Sequence, residues 1–140
     1  NVESLVSLID IPPTLLSLAG IPIPESYSGN ILPVNRNDTP ERDCVFVQIS
    51  ESQIGRAVRT KDFKYSVRAI GSGMMKHSSS VYFDDFLYDL RNDPHEKNNL
   101  VNNKMYKDVI KEMRELLSRE MVKVGEEEPK FHKPLVKHKF

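Results

Sequence analysis

The chain is 140 residues long and carries 20 lysines and arginines against 20 aspartates and glutamates, for a formal net charge of zero. That length suits one core and a single domain by size, and the charge balance argues against nucleic acid as a main partner, which would favour a net basic surface. The longest apolar run is far too short to cross a membrane, and no basic region followed by an apolar stretch and a cleavage site opens the chain, so neither a membrane partner nor a signal peptide is expected.

Leu5 to Ile9 is a short apolar run. Asp10 is predicted to cap a helix that Pro12 and Pro13 open, because the first helical amides need no internal partner. Gly20 is a natural stop, and Pro22 and Pro24 block continuation. This helix carries Leu15, Leu16, Leu18 and Ala19 with few polar residues, so it needs cover on several sides. Glu25 to Arg42 is rich in Pro, Asn, Ser and Gly and reads as a connecting loop, which divides the chain into residues 1–40 and 41–140. Asn37-Asp38-Thr39 fits the glycosylation pattern, but Pro40 follows it and such matches are common. Cys44 is the only cysteine, which excludes an internal disulfide and fits a small buried apolar residue in a strand.

Strand candidates come next. Cys44 to Ile49 alternates loosely, with Val45 and Val47 on one face and Phe46 on the other. Gly55 to Thr60 and Phe63 to Ile70 flank the short Lys61-Asp62, which reads as a hairpin. Gly71-Ser72-Gly73 and Ser78-Ser79-Ser80 flank a loop, Val81-Tyr82-Phe83 extends a strand, and Phe86 to Leu90 is the last one. This predicts an α+β fold of about four antiparallel strands. In the turn that follows, Asp93 can cap a short helix with Pro94 at its first position and Glu96 completing a capping box. Lys104 to Val124 is the clearest helix: Tyr106, Val109, Ile110, Met113, Leu116, Leu117 and Met121 recur at steps of three and four. Burying a Leu or Met of that stripe against the sheet is worth about 1.5–3 kcal/mol. Lys111 with Glu115, and Glu115 with Arg119, add opposite charges one turn apart. The tail from Gly125, with Glu126-Glu127-Glu128, Pro129 and Pro134, reads as a strap or a mobile end, and its basic residues as solvated.

Two groups of residues are candidates for chemistry. Asp84, Asp85, Asp89, Asp93, His95 and Glu96 cluster in sequence, and hard cations want several carboxylates. Capping explains Asp93 and Glu96, however, and an outward phase in the strand explains Asp89, so no metal site is assigned. Arg56 and Arg59, read as sharing one face of a strand, fit a structural ion pair or an anion contact, since a guanidinium binds sulfate or carboxylate through two bonds. Lys76 and His77 lie in the loop between strands. These four are the substrate-rim candidates.

The segment from Phe86 to Leu100 reads Phe-Leu-Tyr-Asp-Leu-Arg-Asn-Asp-Pro-His-Glu-Lys-Asn-Asn-Leu. It resembles the Leu-Tyr-Asp-Leu, Asp-Pro-x-Glu, Asn-Leu segment near the end of sulfatases. Val6 to Pro22, containing Asp10-Ile11-Pro12-Pro13-Thr14-Leu15-Leu16-Ser17-Leu18-Ala19-Gly20, looks like the family's "D-hydrophobic-x-PT-LL-x-LAG" helix, and Gly29 matches the glycine that follows it. Arg56-Ala57-Val58-Arg59-Thr60-Lys61-Asp62-Phe63-Lys64-Tyr65 is similar to the family's strand pair. The three matches run in order from about Val6 to Leu100.

The resemblance implies that residues 1–40 are the last helix and connection of an alkaline-phosphatase-like catalytic domain, and residues 41–140 a C-terminal subdomain. It implies a full-length enzyme that cleaves sulfate esters with calcium and a formylglycine, in a family often periplasmic, secreted or lysosomal. The formylglycine arises from the Cys or Ser of a C/S-x-P-x-R motif. Cys44 is followed by Val-Phe-Val-Gln, without Pro or Arg at the required spacing. The family's calcium-binding aspartates and its active-site Lys and His precede the helix at Asp10. No catalytic or metal residue is therefore expected in this chain, which is read as inactive by itself, and its expected partners are an N-terminal catalytic domain and a sulfate-ester substrate. The alternatives are the end of a phosphonate or phosphate ester hydrolase of the same superfamily, or a free-standing interaction module. The apolar helix also predicts that the isolated chain either self-associates through this region or leaves it loosely ordered.

Overall fold

The computed structural model describes residues 4–33, 42–71 and 76–135. The glycosylation pattern at Asn37 lies outside them. The chain divides into two compact units, one ending at Val45 and one starting at Phe46.

In the first unit a 3-10 turn, Leu8–Asp10, runs into helix α1, Ile11–Leu18. Pro12 and Pro13 occupy its first turn, where a missing amide costs nothing. The helix ends as its sequence predicts: the Gly20 amide donates to Ser17 O at 3.1 Å and the Ile21 amide to Leu16 O at 2.9 Å, a Schellman stop. Asp10 precedes the helix, yet its carboxylate does not cap it. That expectation is corrected, because other donors claim both oxygens. Oδ2 accepts from the Ser7 amide at 2.7 Å, Oδ1 from the Asn30 amide at 2.9 Å, and Arg42 forks onto both at 2.7 and 2.8 Å. Burial opposes the Asp10 charge, but Arg42 and the two amides outweigh it and hold the carboxyl below its ordinary range. Thr14 adds a second tie, donating to Asp10 O at 2.6 Å and accepting from the Leu32 amide at 2.8 Å. The returning segment comes so close that a Cβ on Gly29 would sit 1.9 Å from Ile9 O, so only glycine fits there.

The second unit is built on a sheet ordered β1-β2-β3-β4-β5. The strands are β1 (Val45–Ser50), β2 (Ile54–Arg59), β3 (Phe63–Arg68), β4 (Val81–Asp89) and β5 (Lys130–His132). β2 and β3 form the expected hairpin, closed by the Thr60 amide on Phe63 O at 2.8 Å. β3 and β4 are antiparallel, with a bulge that leaves Asp85 without an opposite residue. β5 pairs parallel to β4, so the sheet is mixed and has one strand more than the sequence predicts. Three residues are too few to show an alternation, and the neighbour in the sheet supplies the pairing. Cys44 is only half-buried and lies one residue before β1, not within a strand.

A 3-10 turn, Lys104–Tyr106, leads into helix α2, Lys107–Lys123. Asn103 caps the turn by accepting from the Met105 amide at 3.0 Å. Met113, Leu117 and Met121, four apart, join Ile54, Val58, Tyr65, Val67, Tyr82 and Leu87 in one core. Lys111 and Glu115 face water, 3.9 Å apart.

The turn after β4 differs from its prediction. No helix starts at Asp93. Its Oδ2 accepts from the Asn98 amide at 2.7 Å, which closes a loop. Glu96 has a positive φ of 54° and reaches Lys64 Nζ at 2.6 Å, so it completes no capping box. Asp89 does not point outward but is buried: it accepts from the Arg91 and Asn92 amides, both at 3.2 Å, from Asn92 Nδ2 at 2.9 Å and from the Tyr106 hydroxyl at 3.3 Å. Asn99 Oδ1 accepts from the Leu87 and Val101 amides, each at 3.1 Å, while its Nδ2 donates to Asp85 O at 3.0 Å. The asparagine thus serves as a short strand beside the bulge, where the regular ladder is interrupted.

Candidate functional site

β2 presents two arginines, and strand geometry separates them. Side chains alternate along a strand, so residues three apart face opposite ways. Arg56 turns inward with Ile54 and Val58, whereas Arg59 is exposed at the strand end. The reading that placed both on one face is therefore corrected.

Arg56 is the centre of a buried polar cluster, its side chain only 2% exposed. Nε donates to Glu126 Oε1 at 2.7 Å. Nη1 donates to Gly55 O at 2.7 Å, Ile49 O at 3.1 Å and Ser50 Oγ at 3.4 Å, and Nη2 donates to His77 O at 2.8 Å. Gln48 Nε2 also donates to Glu126 Oε1, at 2.6 Å. A buried guanidinium is tolerable only with its donors engaged and its charge matched, and Glu126 supplies the charge from seventy residues away in sequence. The route to it is local. α2 ends in a second Schellman stop, with the Gly125 amide on Val122 O at 3.0 Å and the Glu126 amide on Met121 O at 3.0 Å. Gly125 takes φ of 88°, a conformation that strains any other residue, and turns Glu126 back toward β2. The tail is therefore a strap.

The described residues that lead into β4, 76–80, are held at three main-chain atoms. His77 O accepts from Arg56 and from Ser50 Oγ, the latter at 2.9 Å. The Ser79 amide donates to the Tyr82 hydroxyl at 3.2 Å, and Ser80 O accepts from the Lys130 amide at 2.8 Å. Burial pushes the Tyr82 phenol up; the Ser79 amide and the Arg56 charge oppose this, and the Glu126 charge adds to it. The side chains of Lys76 and His77 remain exposed on this anchored segment. The structure thus joins Arg56 to His77 through the main chain, while Arg59 takes no part in the cluster. Glu126 and Gln48 escaped sequence reasoning. The one clue was that a basic residue in phase with buried apolar ones requires a carboxylate.

The acidic residues of β4 serve the core. Asp84 accepts from the Tyr65 hydroxyl at 2.5 Å and from Arg114 Nε and Nη2 at 2.9 and 2.6 Å. Burial, reinforced by the Asp84 charge, pushes the Tyr65 phenol far above its ordinary value. Asp85 pairs with Arg68 at 3.3 Å. Among the described residues no group of three or more His, Cys, Asp or Glu side chains could hold a metal ion. Cys44 lacks the neighbours a formylglycine requires. The described residues do not fit calcium, Cys44 does not fit formylglycine, and no chemical step is assigned to either here.

The family model for the C-terminal part of N-sulphoglucosamine sulphohydrolase matches residues 1–123. A Delta 4,5-hexuronate-2-O-sulfatase of Bacteroides thetaiotaomicron is 30% identical over 118 residues, covering 78% of this chain and 22% of that protein. Arylsulfatase K of Rattus norvegicus is 35% identical over 104 residues, covering 71% of this chain and 18% of that protein. The chain thus spans about a fifth of the length of these relatives. Among solved structures, a 2-O GAG sulfatase superimposes with a TM-score of 0.64 at 29% identity, covering 81% of this chain and 24% of that one. A protein solved with its substrate D-glucosamine-2-N,6-O-disulfate has the same TM-score, 0.64, at 27% identity, covering 81% of this chain and 23% of that one.

Proposed function

The chain belongs to the N-sulphoglucosamine sulphohydrolase C-terminal family of sulfatase domains, and from that premise we propose that it completes a sulfuric ester hydrolase and walls one side of its substrate pocket. The observation that carries this reading is the match over residues 1–123 to a C-terminal family, by a chain that spans only about a fifth of its relatives. The reaction centre belongs to an N-terminal catalytic domain, which supplies formylglycine and calcium. Residues 1–40 are the end of that domain and residues 41–140 the C-terminal subdomain. The exposed apolar side chains of the first unit support this division. Leu15 is 61% exposed, Leu18 63% and Leu8 82%, a surface that calls for a protein partner.

The substrate class is a sulfated saccharide. Support comes from the hexuronate sulfatase and the glucosamine disulfate complex among the relatives. Lys76 and His77 form the part of the wall nearest the sugar, offering exposed side chains to an anionic ligand, while Arg59, exposed at the hairpin end of β2, stands apart from them. Arg56 stands behind them, with its donors engaged inside the fold.

The test uses the full-length enzyme that carries this chain. Removing a charge-assisted contact costs about 1.5–3 kcal/mol, or roughly tenfold or more in KM. Lys76→Ala and His77→Ala should raise KM for a sulfated disaccharide by that factor and leave kcat for a small aryl sulfate unchanged. Unchanged KM in both variants would remove the proposed wall.

A further inference from the structure

We propose that Arg56, held by Glu126, is a positioning residue that sets where the Lys76 and His77 side chains stand, and so tunes recognition of the substrate without touching it. The proposal rests on the reading above that this connection walls the pocket. Its structural half rests on the geometry alone.

Three observations carry it. First, the guanidinium contacts the connection at the carbonyl of His77 itself, 2.8 Å from Nη2, so displacing Arg56 moves the residue whose side chain faces outward. Second, Arg56 bonds three carbonyls, those of Ile49, Gly55 and His77, together with the Glu126 carboxylate. Only a planar fork with five donors can span such a set; a lysine ammonium carries the charge without the reach. Third, the remaining anchors lie on the same few residues: Ser50 Oγ, itself bonded by Arg56, on His77 O, Ser79 on Tyr82, and Ser80 on Lys130 of the strap. Glu126 and Lys130 both follow α2, so the strap holds the connection twice, through Arg56 at His77 O and through the Lys130 amide at Ser80 O.

The chain tests the structural half by amide hydrogen exchange. Arg56→Lys and Glu126→Gln should speed exchange at the Ser79 and Lys130 amides, which donate to the Tyr82 hydroxyl and to Ser80 O, by about tenfold or more beyond the change at Tyr65 and Val67 of β3. Tyr82→Phe should loosen the Ser79 amide alone. Leu117→Ala serves as a control that lowers global stability without touching the cluster, and it should change both groups of amides together. If Arg56→Lys changes the two groups equally, as the control does, positioning is overturned. In the full-length enzyme, Arg56→Lys should raise KM for a sulfated disaccharide severalfold with kcat for a small aryl sulfate retained. Local loosening with unchanged KM in Arg56→Lys and in His77→Ala would instead overturn the pocket-wall reading, and with it the functional half of the proposal.

Discussion

Arg114 of α2 forks onto Asp84 of β4, with Nε 2.9 Å from Oδ1 and Nη2 2.6 Å from Oδ2, and the Tyr65 hydroxyl closes on the same carboxylate from β3. One buried aspartate thus fastens the helix to two strands of the sheet. Removing it would leave a guanidinium and a phenol without their acceptor. Asp84→Ala should cost about 3 kcal/mol, the low end for a broken buried pair because Arg114 can still reach water. Urea unfolding would show this as a lower midpoint with an unchanged slope. A loss of a few tenths would mean that the pair is dispensable.

The helix stripe makes a sharper contrast. Leu117 is fully buried, whereas Glu115 is 67% exposed at its side chain. Leu117→Ala should cost about 2–5 kcal/mol. Glu115→Ala loses one exposed pair, worth about 0.3–0.5 kcal/mol. Equal effects in a denaturant titration would place the core on another face of α2.

This helix was legible in the sequence because one long element carries its own period. The hairpin was legible as well, with Lys61-Asp62 falling between two apolar runs. What remained hidden depends on partners distant in sequence. Asp89 reads as an outward residue because its ligands are turn amides and the Tyr106 hydroxyl, none of which a strand pattern shows. Lys130-Phe131-His132 becomes a strand only beside β4. Glu126 looks like one of three solvated acids until the turn at Gly125 aims it at Arg56. For the rim, the sequence supplied exposed candidates in Lys76 and His77, while the anchors beneath them are main-chain bonds that no composition reveals.

Acid should unfold the chain partly through Asp89. The Asn92 side chain lowers its pKa; burial opposes this, and the Asn92 amide, Tyr106 hydroxyl and Arg91 amide add to the lowering. Asp10 and Asp93 are lowered too. A carboxyl whose folded pKa lies below its unfolded value of about 3.9 contributes stability that is complete above that pH and lost as pH falls through the folded value. Asp89→Asn should therefore be less stable than the parent at neutral pH and lose less on acidification. Urea midpoints measured from neutral pH down through the carboxylate range would check it. Parallel curves for parent and variant would refute the assignment.

The apolar surface of the first unit should make the isolated chain self-associate. Leu15 and Leu18 are the most exposed large apolar side chains of α1. Replacing both with Ser should lower the average mass in sedimentation across a concentration series, with the circular dichroism of sheet and α2 preserved. A strictly monomeric parent would favour a free-standing module over a domain that needs cover.

The central proposal is that this chain, of a sulfatase C-terminal family, completes a sulfatase without carrying the chemistry. The most direct test is turnover of a fluorogenic aryl sulfate by the purified chain, with and without calcium. The account predicts hydrolysis no faster than in buffer under either condition. Sustained turnover that follows the chain through every purification step, and is lost in Cys44→Ala or His77→Ala, would place a reaction centre within these residues and contradict it.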